Sequence, residues 1–284
     1  MTWYKKYLSV YEKPFSDAPQ DIIKEIKDNI QRLQSEKPLA SIVIIAYNEE
    51  KHLLANLWSL SNTKCKYPLE IIGVDNDSSD RTAEIFQACG VPYYTEYQHS
   101  CGYARRCGLE HIRGKYYICI DSDTMYPSRY VETLIYALEK PGIMAVSSLW
   151  SYIPDKQHPW LGIKCYEFLR DLHLYIQSFK RPELSVRGLV FAYNAEYGKK
   201  IGYRVDIIRG EDGSMALGLK KYGKICFIRK RKARAVTGYG TVGADGAFFN
   251  SFKIRAKKAL KNIDSLFTKK ENYQDEDSNL ISKK

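Results

Sequence analysis

A long hydrophobic run is missing from this 284-residue chain. The longest nearly continuous apolar stretch, residues 39–47, is too short to cross a bilayer, and the first residues lack the apolar block of a secretory signal. We therefore expect a cytoplasmic protein. The seven cysteines include no Cys-x-x-Cys pair, and several, such as Cys119 and Cys226, fall in apparent core strands. This pattern argues against a disulfide framework, a zinc site or redox chemistry, and indicates reduced structural thiols.

The composition is that of a soluble globular protein, with 44% hydrophobic and 27% charged residues. Lys and Arg number 44 against 33 Asp and Glu, which gives a net charge of +11. Such a charge attracts anionic partners, among them nucleic acid, phospholipid head groups and phosphorylated substrates. The charge alone does not choose among these partners.

The hydrophobic periodicity divides the chain into three parts. Residues 1–38 are an N-terminal extension with one helix of regularly spaced apolar residues after Pro19. Residues 39–245 alternate strands with helices, which predicts an α/β domain whose first half, 39–125, is of the nucleotide-binding type. Residues 246–284 combine a basic amphipathic helix with a polar tail. That helix fits either an anionic membrane surface or a place on the domain with its lysines in water.

The predicted elements of the domain alternate along its whole length. Strands are predicted at 41–47, 69–74, 91–94, 116–120, 144–150, 189–193 and 224–228, and helices at 49–60, 79–88, 102–112 and 160–178. We expect all the strands to form one continuous mixed sheet.

Two carboxylates, Asp121 and Asp123, directly follow the predicted buried strand 116–120. The carboxyl edge of an open α/β sheet is where such folds bind ligands, and two like charges are costly there unless a cation compensates them. Hard oxygen ligands suit Mg²⁺ or Mn²⁺ bridging a diphosphate. The alternative is that Asp121-Ser-Asp-Thr only turns the chain into the next helix.

Other polar residues also follow predicted strands. Tyr47 could stack on a nucleobase and Glu49 could accept a hydrogen bond from base or ribose, although a strand-end tyrosine and a helix-capping glutamate explain both equally well. Asp75 ends the second strand. The planar guanidinium of Arg105 suits a base carbonyl or a phosphate.

Far downstream, Gly210-Glu211-Asp212 precedes a predicted helix. A helix N-terminus would hold the Asp212 carboxylate ionised and ready to accept a proton, so Asp212 is the candidate general base and Glu211 a neighbouring candidate. The alternative is a plain helix cap.

These pieces together resemble the inverting family 2 glycosyltransferases of the GT-A fold. The stretches that carry the resemblance, in chain order, are Ala40–Glu50, Val74–Asp80, Ala104–Gly108, Asp121–Asp123 and Gly210–Asp212. The resemblance implies a three-layer α/β/α fold with a mixed, mainly parallel sheet, and makes 126–245 the acceptor half. It also implies transfer of a sugar from a nucleotide-diphosphate sugar, most simply a UDP-sugar, to a hydroxyl of a saccharide or lipid-linked acceptor.

The same resemblance implies roles for single residues. Tyr47, Glu49, Asp75 and Arg105 would bind the nucleotide, with Ala46 standing where relatives often carry proline. Asp123 would be the direct ligand of Mg²⁺ or Mn²⁺, Asp121 would contact the ribose or the metal's water shell, Asp212 would deprotonate the acceptor, and Glu211 would lie beside it.

Some departures from the family pattern are visible. Asn76-Asp77 replaces a more usual Asp-Gly, Gly218 replaces a common arginine, and no histidine follows His173. The Gln-x-x-Arg-Trp box of processive synthases is missing, which indicates one sugar per encounter.

Rival interpretations are a nucleotidyltransferase and a non-catalytic protein that binds nucleic acid or membrane through its basic surface. A nucleotidyltransferase needs a glycine-rich, lysine-bearing loop after the first strand, where this chain has Tyr-Asn-Glu-Glu. None of the usual nucleic-acid motifs occurs. Gly238–Gly243 fits a dinucleotide fingerprint but has no following strand, so it is expected to be a loop. Trp150, Tyr152 and Trp160 are candidates for an acceptor groove or for core packing, and the basic run 229–234 for a solvated face or an anion-steering surface.

Overall fold

The computed structural model describes residues 2–154, 160–207 and 210–238. The strands are β1 (Ala40–Ala46), β2 (Leu69–Asp75), β3 (Tyr93–Thr95), β4 (Tyr116–Asp121), β5 (Thr124–Met125), β6 (Ile143–Ser148), β7 (Trp150–Tyr152), β8 (Phe191–Asn194), β9 (Lys224–Ile228) and β10 (Ala235–Thr237). The helices are α1 (Gln20–Leu33), α2 (Leu53–Ser61), α3 (Thr82–Ala88), α4 (Cys101–His111), α5 (Tyr130–Leu138), α6 (Trp160–Lys180), α7 (Ala195–Ile201) and α8 (Glu211–Leu219).

The central sheet has seven strands in the order β3-β2-β1-β4-β8-β6-β9. The first four strands of this order are parallel, β8 runs antiparallel to both of its neighbours, and β6 is parallel to β9. The sheet is therefore mixed and mainly parallel, as predicted. A second, three-stranded sheet has the order β5-β10-β7.

Alternating side chains of β1 show why the fold has three layers. Ile42 and Ile44 pack on one side of the sheet against α1, α2 and α5, while Val43 packs on the other side against α4, α7 and α8. Successive side chains of a strand point to opposite faces, so a strand covered on both sides must be apolar throughout. This explains why the parallel strands are continuous hydrophobic runs in the sequence.

Strand register brings the predicted site residues to one edge of the sheet. Ala46 lies opposite Asp75 in the β1–β2 pair, and Ile45 lies opposite Asp121 in the β1–β4 pair. The polar residues that end these strands therefore meet at the carboxyl edge, where open α/β sheets place their ligand sites.

The helices after β1 and β2 begin later than predicted, at Leu53 and Thr82. Polar side chains in the two loops between strand and helix replace a first helical turn. Ser79 N donates to Asn48 Oδ1 at 2.8 Å, and Glu50 N donates to Asp80 Oδ2 at 3.0 Å. Since each loop satisfies backbone donors of the other, the chain has no need of helical hydrogen bonds there.

The prediction of one continuous sheet is wrong for the second half of the domain. The predicted strand 144–150 is two strands, with β6 in the large sheet and β7 in the small one. Leu149 lies between them and accepts a hydrogen bond from Ala235 N at 3.1 Å. A run of apolar residues does not reveal such a change of sheet, because both strands are buried.

The N-terminal extension packs on the domain. Pro19 precedes α1, where its fixed φ and missing N–H are tolerated, and Ile26 and Ile30 are completely buried. Tyr7 and Phe15 join the same core. Within the described ranges, no helix is both long and apolar enough to cross a membrane. The predicted basic helix and tail, 246–284, and most of the predicted glycine loop lie outside the described residues.

Candidate active site

A cavity of about 270 Å³ lies at the carboxyl edge of β1 and β4, closed on one side by the start of α8. Its lining residues are Ile45, Ala46, Tyr47, Glu49, Asn76, Cys101, Ala104, Arg105, Asp121, Ser122, Asp123, Glu211 and Asp212. All the predicted site residues except Asp75 are among them. The carboxylates of the first half and those of α8 therefore share one cavity, although some 90 positions of sequence separate them.

Asp121 and Asp123 do not lead directly into a helix, as the turn alternative required. Asp121 ends β4, the short strand β5 follows Asp123, and α5 begins only at Tyr130. The buried Asn56 side chain fixes this segment by donating to the backbone oxygens of Asp121 and Thr124, at 3.0 and 2.6 Å. The two carboxylates are therefore held at the cavity by α2 as well as by the strand.

Burial raises the pKa of Asp123 to about 6, and the charges of Asp121 and Glu49 add to the effect. A cation at this position would remove that repulsion, and carboxylate oxygens are the ligands that Mg²⁺ and Mn²⁺ prefer. In the described parts of the chain, no three His, Cys, Asp or Glu side chains come close enough together to hold a metal ion. The protein would therefore supply only part of the coordination of a divalent ion here. Asp123 and Asp121 would be the protein ligands, and diphosphate oxygens and water would supply the others.

Arg105 lies between the two sets of carboxylates. Its Nη2 is 2.5 Å from Asp121 Oδ1, its Nε is 3.9 Å from Asp212 Oδ1, and Nη1 donates to Ile120 O at 3.3 Å. The side chain is only 2% exposed. The sequence predicted contact of Arg105 with a base or phosphate, whereas its guanidinium is engaged with protein carboxylates. Arg105 meets Asp121 because α4 packs against β1 and β4 is the neighbour of β1 in the sheet. The spacing of the residues in the sequence does not show this packing.

Glu211 and Asp212 form the first turn of α8. Gly210 precedes them with φ +107°, a left-handed conformation that favours glycine. Burial raises the pKa of Glu211 to about 8, helped by the Asp212 charge. Burial also raises the pKa of Asp212, while Arg105 opposes the shift. The helix N-terminus favours the ionised carboxylate, as predicted from the sequence, whereas burial raises the pKa of Asp212, and its role as a base stays a prediction.

Gly188 is a site residue that the sequence analysis missed. A Cβ atom on it would lie 2.4 Å from Asp212 Oδ2 and 2.6 Å from Arg105 Nη2, both impossibly close. Asp212 Oδ1, on the other side of the carboxylate, is buried and accepts no hydrogen bond within the described residues. The lack of a side chain at position 188 thus leaves room for Asp212 and Arg105 to lie next to each other. A glycine before a strand gives no signal of this role in a single sequence.

The residues predicted to bind the nucleotide differ in their exposure and contacts. Tyr47 is 52% exposed, and its ring meets His99 edge to face at 5.1 Å between centroids. The Glu49 carboxylate bonds His52 Nδ1 at 2.7 Å, so it does not cap α2. Asp75 is buried and lines no part of the cavity, and its Oδ1 has no hydrogen-bond partner among the described residues. Asn76 takes its place in the wall.

The N-terminal extension also reaches the site, which the sequence analysis did not foresee. Tyr11 OH donates to Asp123 O at 3.3 Å, and its ring packs on His52 at 4.8 Å between centroids. Glu49 in turn raises the pKa of His52, against the lowering that burial causes. The aromatic-rich start of the chain was the available signal. By contrast, Trp150 and Tyr152 are buried core residues and do not form an open acceptor groove.

Comparison with known proteins decides the family. A sequence model described as "Glycosyl transferase family 2" matches residues 41–196, more than half of the chain. The chain belongs to glycosyl transferase family 2. The match begins in β1 and ends in α7, so it covers the nucleotide-side residues and Gly188 but not Glu211 or Asp212.

Curated relatives in the family are similar over part of their length. The uncharacterized glycosyltransferase YfnE of Bacillus subtilis is 34% identical over 116 residues, which is 39% of this chain and 30% of YfnE. The uncharacterized glycosyltransferase RP339 of Rickettsia prowazekii is 31% identical over 169 residues, 58% of this chain and 53% of RP339. The chain thus spans about half or less of the length of these relatives.

Solved structures share the fold at low sequence identity. Glucosyl-3-phosphoglycerate synthase from Mycobacterium tuberculosis, crystallised with Mn²⁺, UDP-glucose and phosphoglyceric acid, matches with a TM-score of 0.55 and 20% identity, over 82% of this chain and 81% of that one. The mannosyltransferase PcManGT from Pyrobaculum calidifontis, with GDP-mannose and Mn²⁺, gives 0.56 and 15%, over 94% and 77%. The predicted family 2 membership and GT-A fold are confirmed.

Proposed function

We propose that this chain is an inverting glycosyltransferase that moves a sugar from a nucleotide-diphosphate sugar to a hydroxyl group of a saccharide or lipid-linked acceptor. The observation that carries the proposal is the shared cavity, with Asp121 and Asp123 on one wall and Glu211 and Asp212 on the other. One pair suits a metal-bound diphosphate, and the other suits a hydroxyl that must lose its proton. Family membership supports the same reaction class.

On the donor side, the half-exposed Tyr47 ring is available to stack on the base, and the cavity edge leads from it to Asp121 and Asp123. These two carboxylates would hold Mg²⁺ or Mn²⁺. Such an ion, when bound, offsets the negative charge that develops on the departing nucleoside diphosphate. We propose that the donor is a uridine nucleotide sugar. The structurally similar glucosyl-3-phosphoglycerate synthase, crystallised with UDP-glucose, supports this choice.

On the acceptor side, Asp212 would accept the proton of the attacking hydroxyl. Its raised pKa brings it nearer to neutral pH, where a general base is most effective. Among the described residues Oδ1 has no hydrogen-bond partner, and the Arg105 guanidinium lowers the pKa of the carboxylate against the larger effect of burial. Attack of that hydroxyl on the face of the anomeric carbon opposite the departing diphosphate would invert the anomeric configuration.

The test uses the full chain with a panel of UDP-, GDP- and dTDP-sugars, with and without Mn²⁺. Thermal shift identifies the donor, because a ligand that binds only the folded state raises the melting temperature. Release of nucleoside diphosphate then reports turnover.

Asp123→Ala is expected to abolish the metal-dependent thermal shift and to reduce turnover by roughly 10² or more. Asp21→Ala, an exposed carboxylate in the first turn of α1, is the control. Unchanged donor binding and turnover in Asp123→Ala would remove the proposed metal site.

A further inference from the structure

The long helix α6 exposes an apolar face to solvent. Its outward face carries seven exposed residues without a charge among them: Leu161, Cys165, Phe168, Leu169, Leu172, Ile176 and Phe179. We call these residues the α6 stripe. They recur at three- and four-residue steps, so they form one continuous band along 21 residues of helix. Phe168, Phe179 and Leu161 are 68%, 69% and 73% exposed.

Apart from the exposed Lys180 at its end, the charged residues of α6 are buried or partly buried. Glu167 is buried and accepts hydrogen bonds from Tyr152 N at 2.8 Å and from Ser151 Oγ at 3.2 Å. Arg170 stacks on the Trp150 ring at 4.1 Å. A surface helix of a globular protein ordinarily shows the opposite arrangement. Contiguous exposed apolar surface of this kind marks a site that binds another protein or a membrane.

Cations border the α6 stripe. Arg229 lies over the ring of Tyr175 in α6, 4.1 Å from its centroid. Lys230, Arg231 and Lys232 follow Arg229 directly in the chain. Lys230, Arg231 and Lys232 line a groove of about 640 Å³ that also contains Lys66, Arg129, Tyr67 and Tyr136. Arg129 pairs with Glu132, whereas none of the other four groove cations has a carboxylate partner within the described residues.

We propose that the α6 stripe and this cationic groove bind the surface of an anionic lipid bilayer. Apolar burial in the interface combined with attraction to anionic head groups is how amphipathic helices dock on membranes without crossing them. A second copy of the chain would fit the apolar stripe but would bring like charges together, since each chain carries +11. An anionic bilayer matches both parts, because its interior is apolar like the α6 stripe and its head groups are opposite in charge to the groove. It goes beyond the proposed transfer reaction and does not depend on it.

The test is co-sedimentation of the full chain with vesicles of phosphatidylcholine alone or mixed with phosphatidylglycerol. Binding is expected with the anionic vesicles and is expected to weaken as salt screens the charges. Phe168→Ser/Leu172→Ser keeps the net charge and changes only exposed positions. It should weaken binding by about tenfold or more, since each side chain loses apolar burial in the interface. Tyr222→Ser, an exposed aromatic residue outside α6, is the matched control and should bind normally.

Two further measurements separate the contributions. Lys230→Gln/Arg231→Gln should reduce the preference for anionic vesicles more than Lys24→Gln/Lys27→Gln, because α1 packs near the opposite edge of the sheet. Trp160, 60% exposed at the start of α6, should shift its fluorescence to shorter wavelength on binding, and Trp160→Phe should remove that shift.

Vesicle binding that is absent, or that is undiminished in Phe168→Ser/Leu172→Ser, would overturn the proposal. So would light scattering that shows a wild-type dimer converted to a monomer by the same variant, because the stripe would then be a contact between two copies.

Discussion

The two walls of the cavity are built in different ways. On the proposed donor side, Asp121 ends a parallel strand, and its side chain is 37% exposed towards the cavity. On the proposed acceptor side, the side chain of Asp212 is 13% exposed, at the start of a helix that packs across the sheet. Asp121 is therefore open to a ligand, whereas burial raises the pKa of Asp212, as it does that of Asp123.

That difference separates two tasks of a transferase site. The exposed Asp121 carboxylate can exchange water for a ligand at little cost, because its ordinary state is solvated. Burial raises the pKa of Asp123, and a cation would offset its repulsion with Asp121. Burial also raises the pKa of Asp212, towards the range in which a carboxylate can take a proton, while Arg105, which joins the two walls, lowers it.

The strongest test of this division is Asp212→Asn. The amide keeps the shape of the side chain but cannot accept the proton, so turnover is expected to fall by about 10³ to 10⁴. Donor binding should stay close to wild type by thermal shift, because the donor wall is unchanged. The control is Asp206→Asn, whose side chain is 60% exposed. Equal losses of donor binding and turnover would break the distinction between the walls.

Removing the link between the walls is expected to have the next largest effect. Arg105→Gln leaves Asp121 and Asp212 without their buried cation, which should cost about 3–5 kcal/mol of unfolding free energy by denaturant titration. Arg105 lowers the pKa of Asp212, so its loss raises that pKa further. In the folded fraction, the acid limb of kcat/KM should therefore move to higher pH. A limb that stays in place would show that Arg105 does not tune the base.

Gly188→Ala tests how closely the acceptor wall is packed. The new methyl group would displace the Asp212 carboxylate and the Arg105 guanidinium. Overpacking of this kind costs about 1–3 kcal/mol, and we expect turnover to fall by roughly tenfold with donor binding retained. Gly162→Ala on α6 is the control, since no atom lies within 4 Å of its Cβ position. A normal rate in Gly188→Ala would contradict the assignment.

The smallest effect is expected from Glu211→Gln, measured as stability against pH. Burial raises the folded-state pKa of Glu211 to about 8 from its ordinary value of 4.5. The unfolded chain therefore loses this proton first, and the carboxyl destabilises the fold progressively as pH rises through that window. The variant should melt at the wild-type temperature near pH 4.5 and a few degrees higher at pH 8. Glu36→Gln, an exposed residue, should show no such trend.

The parallel strands could be predicted closely from the sequence because burial on both faces forces continuous apolar runs. Leu69–Val74 was predicted and the fully buried β2 is Leu69–Asp75. The edge strand β9 is only partly buried, and it too was predicted at its observed bounds, Lys224–Ile228. Helix starts were less predictable. At Leu53 and Thr82 the first turn is replaced by hydrogen bonds between loops distant in sequence, which local propensity does not register.

The same division holds for the candidate site. Sequence alone identified eight of the residues that line the cavity. Tyr47, Asp121 and Asp123 stand out because they directly follow apolar strands, Asp212 because it opens a predicted helix, and Ala46 was named only through the family resemblance. It missed Gly188 and Tyr11, whose parts depend on a neighbour from another element. It also did not reveal that Arg105 pairs with protein carboxylates, and contact of Arg105 with a base or phosphate stays a prediction.

The sequence by itself determined the layered α/β architecture and the chemical types gathered at one edge of the sheet, since both follow from periodicity and from residues adjacent in the chain. Only the tertiary structure decided the protonation tendencies of Glu211 and Asp212, the pairing of Arg105 and the outward turn of the apolar side of α6. Each of these depends on which groups are removed from water and which charges then face one another, and that is set by contacts between elements far apart in sequence.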